Sequence, residues 1–474
     1  MLNYILLIVL VAILVMLIIM TYYLHNINKK AQADDNDIPE TPQLEASKEK
    51  ISLTQSFIYT ALLLTITGII TTLYLIVKGT VYEGHLMEWL NIAVRLLHIT
   101  FGIAWIGASF YFVFLENALN RTKNVREELA GNLWAVHGGG FYYLEKYKVA
   151  PKEIPKDLHW FKYEAYFTWL SGFCLLFVVY YFNAKAILID KNVLDISSFT
   201  AISIGIGSFI AAWVIYTLLC KTPLVKRGIW FALVGFAIVT GFAYFYCQVF
   251  SSRGAYIHLG AMLGTIMVGN VFFVIIPSQK AMVKAAKEGK WLNPELGKNS
   301  GSRSLHNNYF TLPVLFVMVS NHFPSTFGNE HPWLILAIIS LGAAGVKHYL
   351  NLKEKGQLTY WVMPISVLIL LAAAFISAPT KPGECSKEVG FTEVNVIVQK
   401  RCITCHSAKP TDDVYKAPPN GVMYDTPDQI FKIRDKIMQR VVITKTMPQN
   451  NKTGITEKER DLIRCWIEQG ASLK

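Results

Sequence analysis

Charge is scarce in this chain: only 16% of its 474 residues are Asp, Glu, Lys or Arg, against 53% hydrophobic ones, and the mean hydropathy is +0.35. Soluble domains carry about a quarter charged residues, so a soluble multidomain protein is excluded and a membrane chain is indicated. Acidic residues are scarcer still, 33 against 45 Lys and Arg, for a formal net charge of +12. The excess does not point to nucleic acid, because Lys and Arg fall in short loops between apolar runs, as the positive-inside rule produces. Cysteines number seven. One pair stands in C-x-x-C spacing, with no second C-x-x-C or H-x-x-x-H in the rest of the tail, which weighs against zinc. No stretch has nucleophile–base or phosphate-cradle spacing.

What the chain has in abundance is apolar runs of bilayer length. Leu2–Leu24 reads as an anchor, with Lys29-Lys30 after it. Ala31-Gln32-Ala33 has the look of a signal-peptidase site, but the run is long for a signal core and the positive charges follow it rather than precede it. A polar linker, 34–50, comes next. Nine further runs lie at Leu53–Val77, Leu90–Leu115, Tyr166–Phe182, Phe199–Cys220, Ile229–Phe250, Ala255–Ile276, Tyr309–Asn321, Trp333–Tyr349 and Leu358–Ile376. The expected fold is therefore all-α: an anchor and linker over 1–50, a bundle bringing the total to about ten spans over 51–380, and a small helical tail over 381–474. Basic loops at Arg121–Lys156, Lys221–Arg227, Lys280–Lys298 and Lys347–Lys355 fall on one side, and the opposite loops, such as Asn321–Pro332, are nearly free of Lys and Arg. With the basic loops in the cytoplasm, the chain is a multi-pass protein of the bacterial inner membrane with its tail outside.

The tail carries Cys402-Ile403-Thr404-Cys405-His406, the spacing of covalent haem attachment, in which both thiols bind the macrocycle and the adjacent His ligates its iron. A c-type haem attached outside the cytoplasm agrees with the topology. Met447, in Thr446-Met447-Pro448, is the expected sixth ligand, ahead of Met423 and Met438; the structural alternative is a packing methionine. Around these ligands the tail has the plan of a class I-like cytochrome c: an amphipathic helix Phe391–Arg401, a helix Pro427–Val442, and a closing helix Thr456–Gln469 with a Thr456/Glu459 capping box and Gly470 as its stop. Cys385 and Cys465 remain, and outside the cytoplasm they are placed to form a disulfide.

Ionisable side chains in hydrocarbon are costly, so each needs a partner or a function. His98, His258 and His322 are expected at one depth, with Gly102, Gly107, Gly260 and Gly264 allowing a flat macrocycle near the backbone. They are candidate ligands of a second, non-covalent haem b. The alternative is interhelical hydrogen bonding with glycines for packing. On the cytoplasmic side, His306-Asn307-Asn308, Gln279, Arg303 and His348, with His137-Gly138-Gly139-Gly140 in the long basic loop, form a second polar set that could bind a small polar ligand, although each member taken alone is read as part of a solvated face of loops and helix ends.

With these residues laid out, the sequence resembles the membrane-bound urate hydroxylases, in which an integral-membrane oxidase domain precedes a c-type cytochrome. The matching segments are Leu97–Ser109 (L-H-I-T-F-G-I-A-W-I-G-A-S), His258–Lys280 (H-L-G-A-M-L-G-T-I-M-V-G-N-V-F-F-V-I-I-P-S-Q-K), Ser304–Pro324 (S-L-H-N-N-Y-F-T-L-P-V-L-F-V-M-V-S-N-H-F-P) and the haem tail. The resemblance implies oxidation of urate, with water as oxygen source, to 5-hydroxyisourate in purine breakdown. The electrons would pass to the tail haem and on to a cytochrome or oxidase. Urate is flat, anionic and rich in donors and acceptors, which suits an Arg fork and aromatic faces. Arg95 and Arg253, with Trp105, Tyr111 and Tyr256 nearby, are the candidate contacts, and no catalytic base can be named. The rival reading is a non-catalytic electron conduit from quinol to cytochrome c.

Overall fold

The computed structural model describes residues 80–473 apart from Lys152, Lys156, Leu358, residues 379–382, Ser386 and Lys416, together with scattered positions between residues 61 and 77. The expected anchor, the Ala31-Gln32-Ala33 stretch, the linker and most of the Leu53–Val77 run lie outside the described residues. By its internal contacts the chain divides into residues 1–86 and 87–474, and every candidate site residue falls in the second unit.

The elements are mostly helical. Helix α1 (Val81–Ala118) leads into a β-hairpin of β1 (Leu129–His137) and β2 (Gly140–Tyr147). Then come α2 (Tyr163–Leu176), which continues as a π-helical turn Phe177–Tyr181, and a second π turn, Ala184–Leu188. Helices α3 (Ser198–Lys221), α4 (Gly228–Val249) and α5 (Ser252–Gly269) come next in the chain; α5 runs through a π turn Asn270–Ile275 into α6 (Ile276–Lys287). The bundle is completed by α7 (Pro294–Ser320), the single-turn α8 (Pro324–Phe327), α9 (Pro332–Glu354) and α10 (Val362–Ile376).

Local chemistry explains several boundaries. Ser197 caps α3 by accepting from Thr200 N–H at 3.1 Å, and Ser251 caps α5 through Gly254 N–H at 3.1 Å. Pro294 and Pro332 open α7 and α9, where a missing N–H costs nothing. Six helices among the described residues are long and apolar enough to cross a membrane: Tyr82–Ala118, Tyr163–Tyr181, Ser198–Lys221, Gly228–Val249, Ser252–Lys287 and Pro332–Glu354. The expected Tyr309–Asn321 span is the second half of α7, whose first half is polar, and α7 is not one of the six. α10 has 15 residues, short of the roughly 20 that a bilayer needs.

The expectation of an all-α chain is corrected by the hairpin. Its strands alternate apolar and polar positions, with Trp134 opposite Tyr143 and Val136 opposite Phe141. They are joined by Gly138 and Gly139 at φ +57° and +78°, the two-residue turn that matches strand twist.

α5 is the centre of the bundle: Ala255, Tyr256, His258, Leu259, Met262 and Leu263 are all buried, and α3, α4 and α7 pack around it. The tail has its own core. There α11 (Phe391–Arg401) packs on α14 (Glu457–Glu468) through Phe391, Val394, Val398, Ile463 and Trp466. Between them α12 (Pro427–Lys432) breaks at Ile433 before α13 (Arg434–Ile437) and a π turn Met438–Ile443, so the single helix expected over Pro427–Val442 is two short helices and a turn. The Thr456/Glu459 capping box is present, and Gly470 ends α14 at φ +99°. Cys385 and Cys465 are joined in a disulfide with Cα atoms 5.6 Å apart.

The tail is fastened to the bundle at Asn450. Its Nδ2 donates to Ala186 O at 3.2 Å and Ile189 O at 2.8 Å, and its carbonyl accepts from Asn192 Nδ2 at 3.1 Å. Cross-links across long loops stabilise by about 2–4 kcal/mol. Cys465→Ser should therefore speed amide exchange across α11 and α14 in the full chain while leaving α5 unchanged; equal exchange in both proteins would show that the bridge holds nothing.

Candidate functional site

Helix α11 delivers the C-x-x-C-H stretch to the edge of the tail core. Cys402 N–H donates to Val398 O at 2.8 Å, and the chain then turns, with Cys405 N–H and His406 N–H both donating to Cys402 O at 3.2 and 3.0 Å. Both thiols are free. Burial is the main cause that pushes Cys402 up to about 12 and Cys405 up to about 11, with help from Cys405 at the first and from Asp412 at the second. A redox dithiol needs a lowered pKa, so the raised values speak against dithiol chemistry at this pair.

His406 Nδ1 donates to Val422 O at 3.0 Å, which fixes the tautomer and leaves Nε2 for a metal. Burial holds the imidazole below its ordinary pKa, and so neutral, as ligation requires. Tyr424 meets it edge-on at 5.1 Å. Met423 lies between Val422, whose carbonyl accepts from His406, and Tyr424, whose ring meets it. Met438 opens a π turn. Met447 packs on the tail core, as Cys402 does, and is held from both ends: its N–H donates to Arg440 O at 3.0 Å and its carbonyl accepts from Arg460 at 2.8 Å. Two free thiols, a pre-set imidazole and a firmly held thioether fit a covalent haem. Among the described residues no three His, Cys, Asp or Glu gather as metal ligands, so zinc lacks its donor set.

The bundle meets this crevice at Arg253. Its Nε donates to Asn321 Oδ1 at 2.9 Å, its guanidinium stands 5.8 Å from the Tyr180 ring, and the Tyr180 hydroxyl donates to the same Asn321 oxygen at 3.2 Å. Arg253 acts electrostatically on Arg440 and Tyr415 of the tail, and Arg95 and Arg253 both act on Tyr180. Arg95 otherwise donates to Asn91 on its own helix at 3.0 Å. The two candidate arginines thus share Tyr180. Trp105 packs with Ala165 and Val268, Tyr111 is exposed, and the Tyr256 hydroxyl is spent on Thr326 O and Pro332 O, both at 2.9 Å.

The three membrane histidines are not brought together. His98 Nδ1 lies 3.0 Å from Thr168 O and 3.3 Å from Ser171 Oγ, over Gly172, where a Cβ would stand 2.7 Å from the ring. His258, fully buried, has Nδ1 on Gly254 O at 2.8 Å and Nε2 on the Tyr181 hydroxyl at 3.1 Å, inside a cage of Phe209, Tyr246 and Phe250. Gly172 and Tyr181 are nine residues apart, ~14 Å along a helix, so the two imidazoles sit at different levels. His322 is exposed at the end of α7. Gly260 is filled by Val317 of α7, while Gly102, Gly107 and Gly264 have nothing within 4 Å. A macrocycle shared by these histidines does not fit.

A buried polar network forms instead from the set read as a solvated face. Ser300, Arg303, Asn307 and Thr311 recur at helical spacing along α7 and all are buried, Arg303 to 4% exposure. Arg303 Nη1 donates to Asn270 Oδ1 at 3.3 Å; Asn270 Nδ2 donates to Asn307 Oδ1 at 2.8 Å and to the Tyr216 hydroxyl at 3.0 Å. Tyr216 in turn meets His306 Nδ1 at 2.8 Å, and Arg303 lies 4.9 Å over its ring. The remaining members stand apart: Tyr309 pairs with His348 at 2.7 Å, and His137 opens the hairpin turn. An apolar groove of about 510 Å³ beside α3 and α4, lined by Ile204, Ser208, Phe242 and Phe245, offers almost nothing to orient a polar ligand.

The sequence family described as Urate oxidase N-terminal matches residues 84–378, well over half of the chain. The chain belongs to that family. No curated protein and no solved structure matches it. All six candidate membrane helices lie within the match to about two residues, and the C-x-x-C-H tail lies beyond it. In this urate oxidase family member the sequence reading missed Asn270, Tyr216 and the burial of Arg303; the signal was the 300/303/307/311 spacing, obscured by the basic loop before it.

One charged pair fastens the crevice loop. Asp412 accepts Val414 N–H at 2.8 Å, Tyr415 N–H at 3.0 Å and Lys452 Nζ at 2.6 Å. Burial alone would raise its pKa, but Lys452 and the two N–H donors outweigh burial and hold it below the usual carboxylate value. Asp412 together with its neighbour Asp413, which also pairs with Lys452, holds Lys452 above its own ordinary value against burial. The stabilisation is therefore present above the unfolded Asp value near 4, is lost as pH falls through the lowered folded value, and persists up to the Lys range near 10. Asp412→Asn should cut protection of the Val414 and Tyr415 amides about tenfold at pH 7, and the gap from wild type should close as pH falls well below about 4; a gap that persists there refutes the assignment.

Proposed function

We propose that the chain is a urate oxidoreductase of the bacterial inner membrane, oxidising urate in its membrane unit and passing the electrons to a c-type haem in a tail on the outer side. The family match supports the substrate. The observation that carries the electron route is the crevice itself: free Cys402 and Cys405, His406 fixed through Nδ1, and Met447 held by Arg460. Bound there, the haem would supply one-electron acceptance at a potential raised by Met ligation. Cys402, Cys405, His406 and Met447 would hold the haem, and the electrons would leave for a soluble or membrane cytochrome or oxidase.

The reaction in balance is the urate anion plus water giving neutral 5-hydroxyisourate, one proton and two electrons. Arg95 and Arg253 stand as urate contacts around Tyr180, where a guanidinium pair favours the urate anion over neutral purines. Arg253, which acts electrostatically on Tyr415 and Arg440, keeps oxidation next to the tail.

Two measurements check this. His406→Ala and Cys402→Ser should each abolish covalent haem on stained denaturing gels and stop urate consumption with the membrane unit still inserted; a persisting haem band in both would place attachment elsewhere. Pyridine haemochrome spectra of the wild type should show c-type haem alone, and His98→Ala should leave that spectrum unchanged. A b-type signal that His98→Ala removes would contradict the structure's separation of the histidines.

A further inference from the structure

We propose that Arg303, Asn270, Asn307 and Tyr216 form a receptor for a small planar anion at the end of the bundle remote from the tail. The anion is the purine substrate arriving from the face of the basic loops. The identity of the anion rests on the functional reading above; the existence of the site does not.

The first ground is an unbalanced charge. Arg303 is 4% exposed, yet no carboxylate pairs with it among the described residues, and its Nε is buried with no hydrogen-bond partner. A guanidinium has five donors in a planar fork, and removing it from water is costly unless an anion or full hydrogen bonding compensates. The hydrogen bond to Asn270, at 3.3 Å, does not do so. Ser300 Oγ and Asn308 Nδ2, on the same helix, are also buried without a partner. A structural arginine would be surrounded by acceptors; here donors are left over.

The second ground is the chemistry of the surround. Asn270, Asn307 and Tyr216 are bonded to one another, to Met267 O and to His306, and so form a fixed wall against which the Arg303 fork is held; Phe231 stacks on His306 beside it, with centroids 4.6 Å apart and planes 16° apart. A flat anion with a C=O edge and a π-face matches an Arg fork flanked by aromatic rings, which a sulfate or chloride does not.

The third ground is the approach. The loops next to this network, 221–227 and 280–298, carry eight Lys and Arg against Glu288 and Glu295 alone, and Lys226 acts electrostatically on Glu295 at the start of α7. Such an excess raises the local concentration of anions. From Arg303 to Asn321, which touches Arg253, α7 runs 18 residues, or ~27 Å, so this site is distinct from the tail junction.

The test is equilibrium dialysis of anaerobic urate against the full chain in detergent, with hypoxanthine as a neutral purine and sulfate as an inorganic anion. Arg303→Gln should weaken urate ~10–100-fold at this site, the loss expected for a charge-assisted hydrogen-bond pair, so that the urate bound falls from two equivalents to the one held by Arg95 and Arg253. Asn270→Asp places an internal carboxylate on Arg303 and should weaken urate as much while keeping thermal stability at or above wild type; it decides the matter if Arg303→Gln fails to fold. Urate binding unchanged in a folded variant overturns the site and leaves the functional reading intact. No urate binding by wild type, with sulfate binding that Arg303→Gln removes, overturns the purine assignment and the functional reading while the anion site stands. Hypoxanthine bound as tightly as urate overturns the charge argument.

Discussion

A polar side chain in hydrocarbon has no water to turn to, and that constraint organises the membrane unit of this protein. Where the sequence supplies a partner, the group is locked. His258 has both ring nitrogens committed, one to Gly254 O a turn away and the other to Tyr181, and Gly205 leaves space for it. Tyr256 is tied to Thr326 and Pro332 in the same way, which joins α5 to the segment leading into α9. Where a donor is left over, as at Arg303 Nε, it marks a place for something that comes from outside. The same rule thus separates structural from receptive polar groups, although both kinds look alike in the sequence.

The tail obeys a different constraint, that of orienting ligands before the group they hold arrives. Val422 sets the His406 ring, Arg460 sets Met447, and the Arg401–Glu459 pair, with Nε and Nη2 3.1 and 3.0 Å from one carboxylate oxygen, ties the end of α11 to the start of α14. Asn450, three residues beyond Met447, bonds to the carbonyls of Ala186 and Ile189. The loop that presents the thioether is therefore also the loop that fastens the tail to the bundle.

The features legible in the sequence are those that local spacing determines. The C-x-x-C-H stretch, the Thr456/Glu459 capping box and five of the apolar helices after α1 needed nothing beyond a few residues of context. The Cys385–Cys465 bridge followed from compartment and elimination. The hairpin was missed because Leu129–Tyr147 sits in a basic loop, and its period-two pattern of Trp134, Val136, Phe141 and Tyr143 is short. The depth match of His98, His258 and His322 failed because depth along a run does not say which neighbour a ring reaches; Gly172 and Gly205, which receive two of those rings, lie on other helices. Arg303 was read as solvated because its burial depends on α3 and on the turn after α5, which no local pattern reveals.

The central claim is that urate itself reduces the tail. Its most direct test is anaerobic titration of the oxidised full-length protein with urate, followed in the visible haem bands and repeated with quinol. Each urate should reduce two tail haems, and quinol should reduce none. Reduction by quinol with no response to urate would contradict the claim and leave an electron conduit in its place.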